Sequence, residues 1–324
     1  MSKIMSAGGD RQTHPGKILV GVAGWSFPDW KGLVYPRESS LNKLQYLTQF
    51  FDTIEVNTSF YAIPTRQLVQ GWVNSVNQNP AFLFSVKLYK QLTHGEDIQQ
   101  GKPEIIPATV EAFKTAFQPM LEGKRLGALL LQFPYRFHYE PKNLDYLLKL
   151  FETFREYPLV VEVRHKSFAQ EPFYALLEKQ GVAFANIDQP EVSYSLPSTN
   201  IFTASRLAYL RFHGRNAEAW FAAEASRDDR YNYNYSSEEL DLYMGMVKEF
   251  QEREGMLYVI FNNHYRASEV KNALEFIHKV SGKKVKVMPK LLKAYPELKK
   301  IALPPEPGES DIKPGENYRL FGSG

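Results

Sequence analysis

The stretch FDTIEVNTSFYAIPT, residues 51–65, joins a buried-strand pattern to two polar residues that such a strand does not normally carry. Its first half, residues 53–57, is a short β-branched run of the kind that forms strands buried on both faces. Glu55 and Asn57 interrupt that run, and two aromatic residues follow shortly after. Burying a carboxylate and an amide in a core strand lowers the stability of the fold unless these groups are paired or bind a ligand. We therefore expect Glu55 and Asn57 to line a site.

Short apolar runs like this one recur along the chain and alternate with helix-like segments. Eight runs have the length and composition of buried strands. They are residues 18–22, 53–56, 82–86, 127–131, 159–163, 182–187, 207–212 and 257–261. The helix-like segments are residues 41–51, 66–76, 110–121, 144–154, 171–179, 238–251 and 268–280. Two of these begin behind capping residues, Thr65 and Ser236, and Glu239 stands at capping-box spacing from Ser236.

The alternation predicts parallel strands joined by right-handed crossovers. Eight such units in roughly 265 residues predict an α/β fold, a single (β/α)8 TIM barrel. No Gly-x-Gly-x-x-Gly motif follows the first run, which disfavours an open dinucleotide-binding sheet. We assign residues 17–280 to the barrel, residues 1–16 to a flexible lead and residues 281–324 to a peripheral tail that is basic and then Pro-rich.

Composition narrows the class of protein. The 324 residues include no cysteine, which excludes disulfides and thiolate metal sites and is compatible with a reducing compartment. We predict a cytoplasmic protein, because the first residues lack a secretory apolar region and no apolar run is long enough for a membrane helix. The segment 281–324 has nine Lys and Arg against five Asp and Glu, which gives it a net charge of +4. Because the net charge of the whole chain is +3, the remaining residues carry a net charge of −1.

Polar residues follow nearly every apolar run. Because the carboxyl ends of barrel strands meet at one rim, we expect these side chains to gather there. The candidate catalytic residues are Glu55, Glu162, His213 and Asp188. The candidate substrate-binding residues are Trp25, Asn57, Phe60, Tyr61, Lys87, His94, Gln132, Arg164, Arg211, Asn262 and Asn263. The alternative for each charged residue is a structural one, since Glu162 with Arg164, or Glu55 with Arg211, would neutralise each other inside a barrel.

Seven segments also resemble one known family. They are GVAGWSFPDWKGLVYP, FDTIEVNTSFYAIPT, FLFSVKLYKQLTH, LGALLLQFP, VVEVRHKSF, YLRFHGR and YVIFNNHYRASEVKNAL. In this order they are similar to the YecE-like family, known as domain of unknown function 72, from about residue 18 to residue 280. The resemblance implies a TIM barrel and supplies no activity, because the family has none assigned. Its barrel is similar in shape to that of endonuclease IV, an analogy of fold only.

The first functional hypothesis is an enzyme of the hydrolase, lyase or isomerase type. Glu55 or Glu162 would act as general acid or base, and His213 would shuttle a proton. Lys87 with Arg164 or Arg211 would hold a phosphate or carboxylate of an anionic small molecule. The amides of Asn57, Gln132, Asn262 and Asn263 would bind the ligand's polar groups, and Trp25, Phe60 and Tyr61 would stack on it.

A metal ion fits this hypothesis only in part. Glu55, Glu162, Asp188 and His213 form an oxygen-rich set compatible with Mg²⁺ or Mn²⁺. The neighbouring cations would repel a divalent ion, and the histidines needed for a trinuclear zinc site of the endonuclease IV type are lacking. No cofactor is therefore firmly predicted.

The second hypothesis is a nucleic-acid-binding protein or nuclease-like enzyme. The rim cations would contact phosphates, and aromatic residues would stack on bases. The segment RYNYNYSSEEL, residues 230–240, suits this hypothesis, since three tyrosines alternate there with asparagines. The structural alternative is a loop that packs over the rim. Binding that weakens steeply with salt would distinguish nucleic acid from a small ligand.

Overall fold

A computed structural model describes residues 15–37, 40–101, 103–220, 222 and 224–304. Eight parallel strands close into one barrel in chain order, with β8 hydrogen-bonded to β1. The strands are β1 Lys17–Val22, β2 Thr53–Val56, β3 Leu83–Lys87, β4 Leu126–Gln132, β5 Leu159–Glu162, β6 Ala183–Asp188, β7 Leu207–Phe212 and β8 Met256–Phe261. The predicted TIM barrel and all eight predicted strands are confirmed, each end within one residue of its predicted place.

Helices connect the strands. They are α1 Lys43–Leu47, α2 Thr58–Tyr61, α3 Arg66–Ser75, α4 Glu96–Gln99, α5 Pro107–Glu122, α6 Pro141–Thr153, α7 Glu171–Gln180, α8 Ala217–Trp220, α9 Arg227–Arg230, α10 Ser237–Asp241, α11 Met244–Gln251, α12 Ser268–Ser281 and α13 Pro289–Ala294. The described residues also include five short 3-10 helices, at Pro28–Trp30, Lys90–Leu92, Lys166–Phe168, Tyr265–Ala267 and Pro296–Lys300.

Two predicted helices are wrong in their extent, and the first, predicted for residues 41–51, is helical only at Lys43–Leu47. The segment 238–251 was expected as a single helix, but it divides into α10 and α11. The division lies at Tyr243, whose N–H bonds to the carbonyl of Leu240, three residues earlier, instead of four. This tighter turn accompanies a hydrogen bond from the Tyr243 hydroxyl to Asp188, a tertiary contact that helical periodicity does not reveal.

Alternate residues of each strand point into the barrel. Arg211 of β7 contacts Glu55 of β2 and Glu162 of β5, and strands that are not neighbours can meet only through the interior. The next residue, Phe212, points the other way and lies against Phe276 of α12. Every second residue therefore reaches either the interior or the helix layer.

The stretch from β2 to α3 is held by local contacts. Ser59, in α2, donates its hydroxyl to the carbonyls of Val56 and Lys87 at 2.8 and 2.6 Å, which ties the end of β2 to the end of β3. Thr65 caps α3 as predicted, because its hydroxyl accepts the Leu68 N–H at 3.2 Å. The residues that follow β2 and β3 are thus fixed relative to each other.

The chain continues in ordered structure beyond residue 280. Met288, Leu291 and Leu298 are fully buried, and the segment at Val285 pairs with Ala302. The sequence-based boundary therefore falls one residue before the end of α12, and the segment up to residue 304 packs on the barrel. The lead predicted for residues 1–16 lies outside the described residues except for 15 and 16, and residues 305–324 of the predicted tail also lie outside them.

None of the helices in the described ranges combines the length and apolar character that crossing a membrane requires.

Candidate functional site at the barrel rim

A charged cluster occupies the barrel interior below the carboxyl-terminal rim. Arg211 forms a two-pronged ion pair with Glu55, its Nε and Nη2 lying 2.9 and 2.6 Å from the two carboxylate oxygens. Its Nη1 lies 3.0 Å from Glu162. Tyr209 donates its hydroxyl to Glu55 at 2.8 Å and lies 2.6 Å from the hydroxyl of Ser85. Arg211 thus joins three strands, and both Glu55 and Glu162 are compensated.

Arg164 forms the upper part of this cluster. It projects inward just beyond β5, and its Nε and Nη2 lie 3.2 and 3.0 Å from the Glu162 carboxylate. Burial alone would raise the pKa of Glu162, but the charges of Arg211 and Arg164 and the hydrogen bond with His213 hold that pKa well below its usual range. Glu162 is therefore a permanent anion that orients its cationic neighbours. Both ion pairs anticipated as the structural alternative, Glu55 with Arg211 and Glu162 with Arg164, are present.

His213 is held as a neutral imidazole. Its Nε2 lies 3.1 Å from Glu162, and its Nδ1 lies 3.1 Å from the side-chain amide of Asn262. Burial and then the charge of Arg164 lower the pKa of His213 to about 3. A neutral ring that donates from Nε2 to the carboxylate and accepts at Nδ1 from the amide satisfies both contacts. Asn57 extends this network of hydrogen bonds, because its side-chain amide lies 3.5 Å from Asn262 and 3.1 Å from the carbonyl of Ala23.

Lys87 differs from the other cations of the rim. It is the last residue of β3, and its Nζ lies 3.8 Å from the ring centre of Phe60. Within the described ranges, no carboxylate comes within ion-pair distance of this amine. Burial and then the charge of Arg211 lower the pKa of Lys87 to about 7, although nearby carboxylates oppose the change. Near neutral pH the amine is therefore present in both protonated and neutral forms.

Phe60 and His94 lie beside Lys87, and Gln132 lies beside His94. Phe60 meets the ring of His94 edge to face at 4.9 Å, and Gln132 lies 3.5 Å from the same imidazole. Burial and then the charge of Lys87 lower the pKa of His94 to about 3, so this imidazole is also neutral. Lys87 is therefore bordered by an aromatic face and a neutral imidazole, with an amide beside the imidazole.

Aromatic side chains cover the other half of the rim. Arg164 lies 5.5 Å from the ring centre of Trp220 and 5.8 Å from that of Tyr135. Tyr231 packs against Trp220 at 5.2 Å and approaches His213. Sequence reasoning did not identify Trp220 or Tyr135, and it considered Tyr231 only as part of the tyrosine-rich loop. Their one sequence signal is an aromatic residue in a loop that follows a rim strand, which is also common in ordinary packing.

Burial shows which half of the rim is open. Glu55, Glu162, Arg211 and His213 are almost inaccessible, whereas Asn57, Phe60, Lys87, His94 and Trp25 retain partial exposure. These exposed side chains follow β1, β2 and β3. A ligand approaching the rim therefore meets Lys87 and its neighbours before it meets the deeper ion pairs.

Of four predicted site residues outside the ion-pair cluster, Asp188 and Asn263 face the helix layer, whereas Trp25 and Tyr61 lie at the edge of the open half of the rim. Asp188 is aligned with the outward-facing Phe212, and its carboxylate is occupied by Arg215, Tyr235 and Tyr243. Asn263 bonds to Asn272 and the carbonyl of Tyr233 in the helix layer. Trp25 packs edge to face on Trp72 at 5.4 Å, and Tyr61 is 57% exposed. The remaining predicted residues share the inner cluster or the surroundings of Lys87.

A metal ion would need ligands that are grouped and unoccupied. In the part of the chain that the structure describes, no three His, Asp or Glu side chains are arranged to hold one. Of the four ligands considered from the sequence, Asp188 faces the helix layer, and Glu162 with His213 is already tied into the arginine cluster. The side chains described therefore offer a divalent ion no ready site.

A cavity of about 1060 Å³ lies at the opposite end of the barrel, where the strands begin. Its wall includes Arg155 and Arg206, but their charges are compensated by Glu152 at 2.9 Å and Glu254 at 2.7 Å. In TIM barrels this face serves stability, and chemistry resides at the other rim. The Lys87 side of the rim is therefore the better candidate.

Comparisons with known proteins agree with the geometry. Residues 19–297 match the family described as "Protein of unknown function DUF72". The chain is 28% identical over 271 residues to UPF0759 protein YunF of Bacillus subtilis, covering 80% of this chain and 93% of that protein. It is also 27% identical to UPF0759 protein YecE of Escherichia coli over 156 residues, which are 47% of this chain and 50% of that one.

Two solved structures are similar over most of the chain. A DUF72 family protein from Thermotoga maritima is 36% identical with a TM-score of 0.71, covering 82% of this chain and 99% of that one. A DUF72 family protein from Enterococcus faecalis is 26% identical with a TM-score of 0.72, covering 83% and 97%. The family match extends beyond residue 280, in keeping with the ordered segment that follows α12.

Proposed function

The chain belongs to the DUF72 family, and we propose that it is an enzyme that acts on a small, polar, anionic molecule at the carboxyl-terminal rim of its barrel. The substrate carries a carboxylate or phosphate, and the reaction is of the hydrolase, lyase or isomerase type with general acid–base chemistry. The ligand lies over β2 and β3, where the rim is open.

The observation that carries this proposal is the uncompensated charge of Lys87. Arg164 and Arg211 each have a glutamate partner, so their charges are already neutralised. Lys87 in its protonated form has no such partner among the described residues, and its side chain is partly accessible. An anionic group on a ligand would supply the missing counter-charge in a partly desolvated place, where such a contact is strong.

Lys87 is also the group best suited to transfer a proton. A pKa near 7 leaves both acid and base forms available at neutral pH, which favours general acid–base catalysis. Glu162 is a poor base, because its neighbours hold its pKa low. We therefore assign Glu55 and Glu162 to orienting Arg211 and Arg164, and the amides of Asn57 and Gln132 to binding the ligand's polar groups.

Binding of small anions tests the proposal. Calorimetric titration with phosphate, citrate and pyruvate is expected to detect saturable binding of at least one of them. Replacing Lys87 by Gln should weaken that binding by about tenfold or more, since a charged hydrogen bond contributes roughly 1.5–3 kcal/mol. Lys90→Gln is the matched control, because Lys90 follows closely in the chain but is exposed.

Two results would contradict the proposal. Equal anion affinities for the Lys87 and Lys90 variants would remove the role given to Lys87. Oligonucleotide binding that weakens steeply with salt, is unaffected at Lys87 and is not accompanied by small-anion binding would favour a nucleic-acid-binding protein instead.

A further inference from the structure

We propose that Lys87 is a nucleophile whose side-chain amine condenses with the carbonyl group of a small 2-oxo acid to form an imine. This inference rests on the proposed function and narrows it, because it requires that the anionic substrate carry a carbonyl beside its carboxylate. The enzyme type it selects is the lyase or isomerase.

A comparison with another buried lysine shows what is unusual about Lys87. Lys271 of α12 is buried, and its amine is paired with Glu275 at 2.9 Å and with the Tyr235 carbonyl at 3.2 Å. Such partners are the ordinary way to keep a buried ammonium. The amine of Lys87 instead faces the ring of Phe60, and none of the contacts described for the chain gives it an acceptor. Lys87 is therefore placed as a reactive amine rather than as a structural cation.

The backbone holds Lys87 firmly while its side chain stays reachable. Lys87 ends β3, and its carbonyl accepts the buried hydroxyl of Ser59 at 2.6 Å. The side chain points inward toward the rim, where it remains partly exposed. A nucleophile must combine a fixed position with access to the substrate, and Lys87 has both.

The surroundings of Lys87 keep part of the amine neutral. Phe60 favours the ammonium through its ring face, as do the charges of Glu162 and Glu55. Burial and the guanidinium groups of Arg211 and Arg164 act in the opposite direction and prevail. A lysine activated by desolvation and neighbouring cations is the usual form of an amine nucleophile.

The proposed step balances without any further reagent. The lone pair of the neutral amine forms a C–N bond to the carbonyl carbon, and the C–O π pair moves to oxygen, which takes a proton. The nitrogen then loses a proton, the carbinol oxygen takes a second proton and leaves as water while the nitrogen lone pair forms C=N, and loss of the remaining N–H proton gives the neutral imine. The net change is amine plus carbonyl to imine plus water, with protons exchanged with solvent at the open rim.

Charge favours a carboxylate beside that carbonyl. When the imine is protonated, its nitrogen carries the positive charge that the ammonium carried before. An adjacent carboxylate is therefore paired with a cation when the ammonium form binds it and again when the protonated imine has formed. Asn57 follows β2 and Gln132 ends β4, the strands on either side of β3, so their side-chain amides are placed to bind polar groups of the substrate. These features together favour a 2-oxo acid over a neutral aldehyde or a simple phosphate ester.

Reductive trapping tests the inference. The full-length protein is incubated with pyruvate and sodium cyanoborohydride, which reduces an imine to a stable secondary amine, and adducts are located by peptide mass spectrometry. At a low molar ratio of pyruvate to protein, we expect one dominant adduct, located on Lys87. Lys87→Arg keeps a cation but cannot form the imine, so the dominant adduct should disappear. Lys90→Arg should leave it unchanged.

Calorimetry with pyruvate on the same variants distinguishes this inference from the function it rests on. Binding of pyruvate to wild type and to Lys87→Arg without trapping in either would overturn the imine and leave anion binding intact. Adducts spread evenly over exposed lysines, and equal in Lys87→Arg, would also overturn it. Absence of both binding and trapping, with pyruvate and with 2-oxoglutarate, would overturn the 2-oxo acid specificity.

Discussion

Glu269 is a carboxyl group buried at the start of α12. It is 0% exposed, its Oε2 accepts the Ala23 N–H at 3.2 Å, and its Oε1 has no hydrogen-bond partner in the described structure. Burial raises the pKa of Glu269 well above its usual range, and the single backbone N–H only partly opposes this. Glu269 is therefore held as a neutral acid in the folded protein.

This raised pKa predicts a pH-dependent stability. The unfolded chain loses the Glu269 proton as pH rises through the ordinary value of 4.5, while the folded chain keeps it, so folding stability falls with rising pH. Glu269→Gln is neutral at every pH and should be more stable than wild type at about pH 8 but nearly equal at about pH 4. The gain is about 1.4 kcal/mol for each pH unit between the unfolded and folded pKa values.

Urea denaturation of wild type and variant at several pH values measures the difference. Glu178→Gln removes the same charge at an exposed position of α7 and should show no such trend. A constant difference between Glu269→Gln and wild type across this range would mean that Glu269 is ionised in the folded protein.

At the scale of single residues, the alternation of side chains along each strand decided which predicted site residues lie together. Those at inward-facing positions share one cluster, and those at outward-facing positions do not. Glu55 and Asn57 stood out in the sequence as polar residues among apolar neighbours. The register of β2 against β3 places both side chains on the inward-facing side. Asp188 was equally prominent in the sequence but stands in register with Phe212, which faces the helices. A shift of one residue exchanges the two faces, and a strand apolar on both faces gives no sign of which is inside. Trp220 lies outside the strands, so no alternation pattern could have pointed to it. Its contact with Arg164 depends on the path of the segment that follows β7.

At the scale of elements, hydrogen bonds between residues close in the sequence fix the start of α10. Ser236 accepts the Glu239 N–H at 3.2 Å, and the Glu239 carboxylate accepts the Ser236 N–H at 2.8 Å, which confirms the predicted capping box. The same carboxylate also contacts Arg215 and Tyr233. Capping spacing is a contact between near neighbours, so the sequence alone revealed it. The end of α10 depends instead on Tyr243 reaching Asp188, and this was missed.

Removal of this cap gives a prediction for the element. Ser236→Ala should lower the free energy of unfolding by about 1 kcal/mol, since it leaves the Glu239 N–H without its partner. Ser237→Ala at the next, exposed position is the control and should change stability by less than about 0.5 kcal/mol. Denaturant titrations followed by circular dichroism measure both. Equal effects of the two substitutions would show that the Glu239 contacts to Arg215 and Tyr233 hold the helix start without the serine.

At the scale of the whole molecule, the question is where the cooperative unit ends. The strand–helix alternation ends at residue 280, which is why the sequence suggested a boundary there. Beyond it the apolar residues are spaced too irregularly to predict an element, yet Met288, Leu291 and Leu298 are buried and Val285 pairs with Ile301 through a 2.9 Å backbone bond. Tyr295 adds a hydrogen bond to the Arg266 carbonyl at 2.8 Å, beside the loop that follows β8. This segment therefore packs against the start of α12 and the turn that follows β8.

If the segment is part of one cooperative unit, a core substitution in it should destabilise the whole barrel. Leu298→Ala removes a side chain that is 0% exposed, and such a change costs about 2–5 kcal/mol because the lost contacts leave a cavity. Leu303→Ala, at a position that is 49% exposed, is the matched control and should cost less than about 0.5 kcal/mol. In thermal unfolding followed by calorimetry, Leu298→Ala should lower the midpoint of one undivided transition. A second transition at lower temperature, with the main one unchanged, would mean that the segment after α12 folds separately and that the barrel is complete without it.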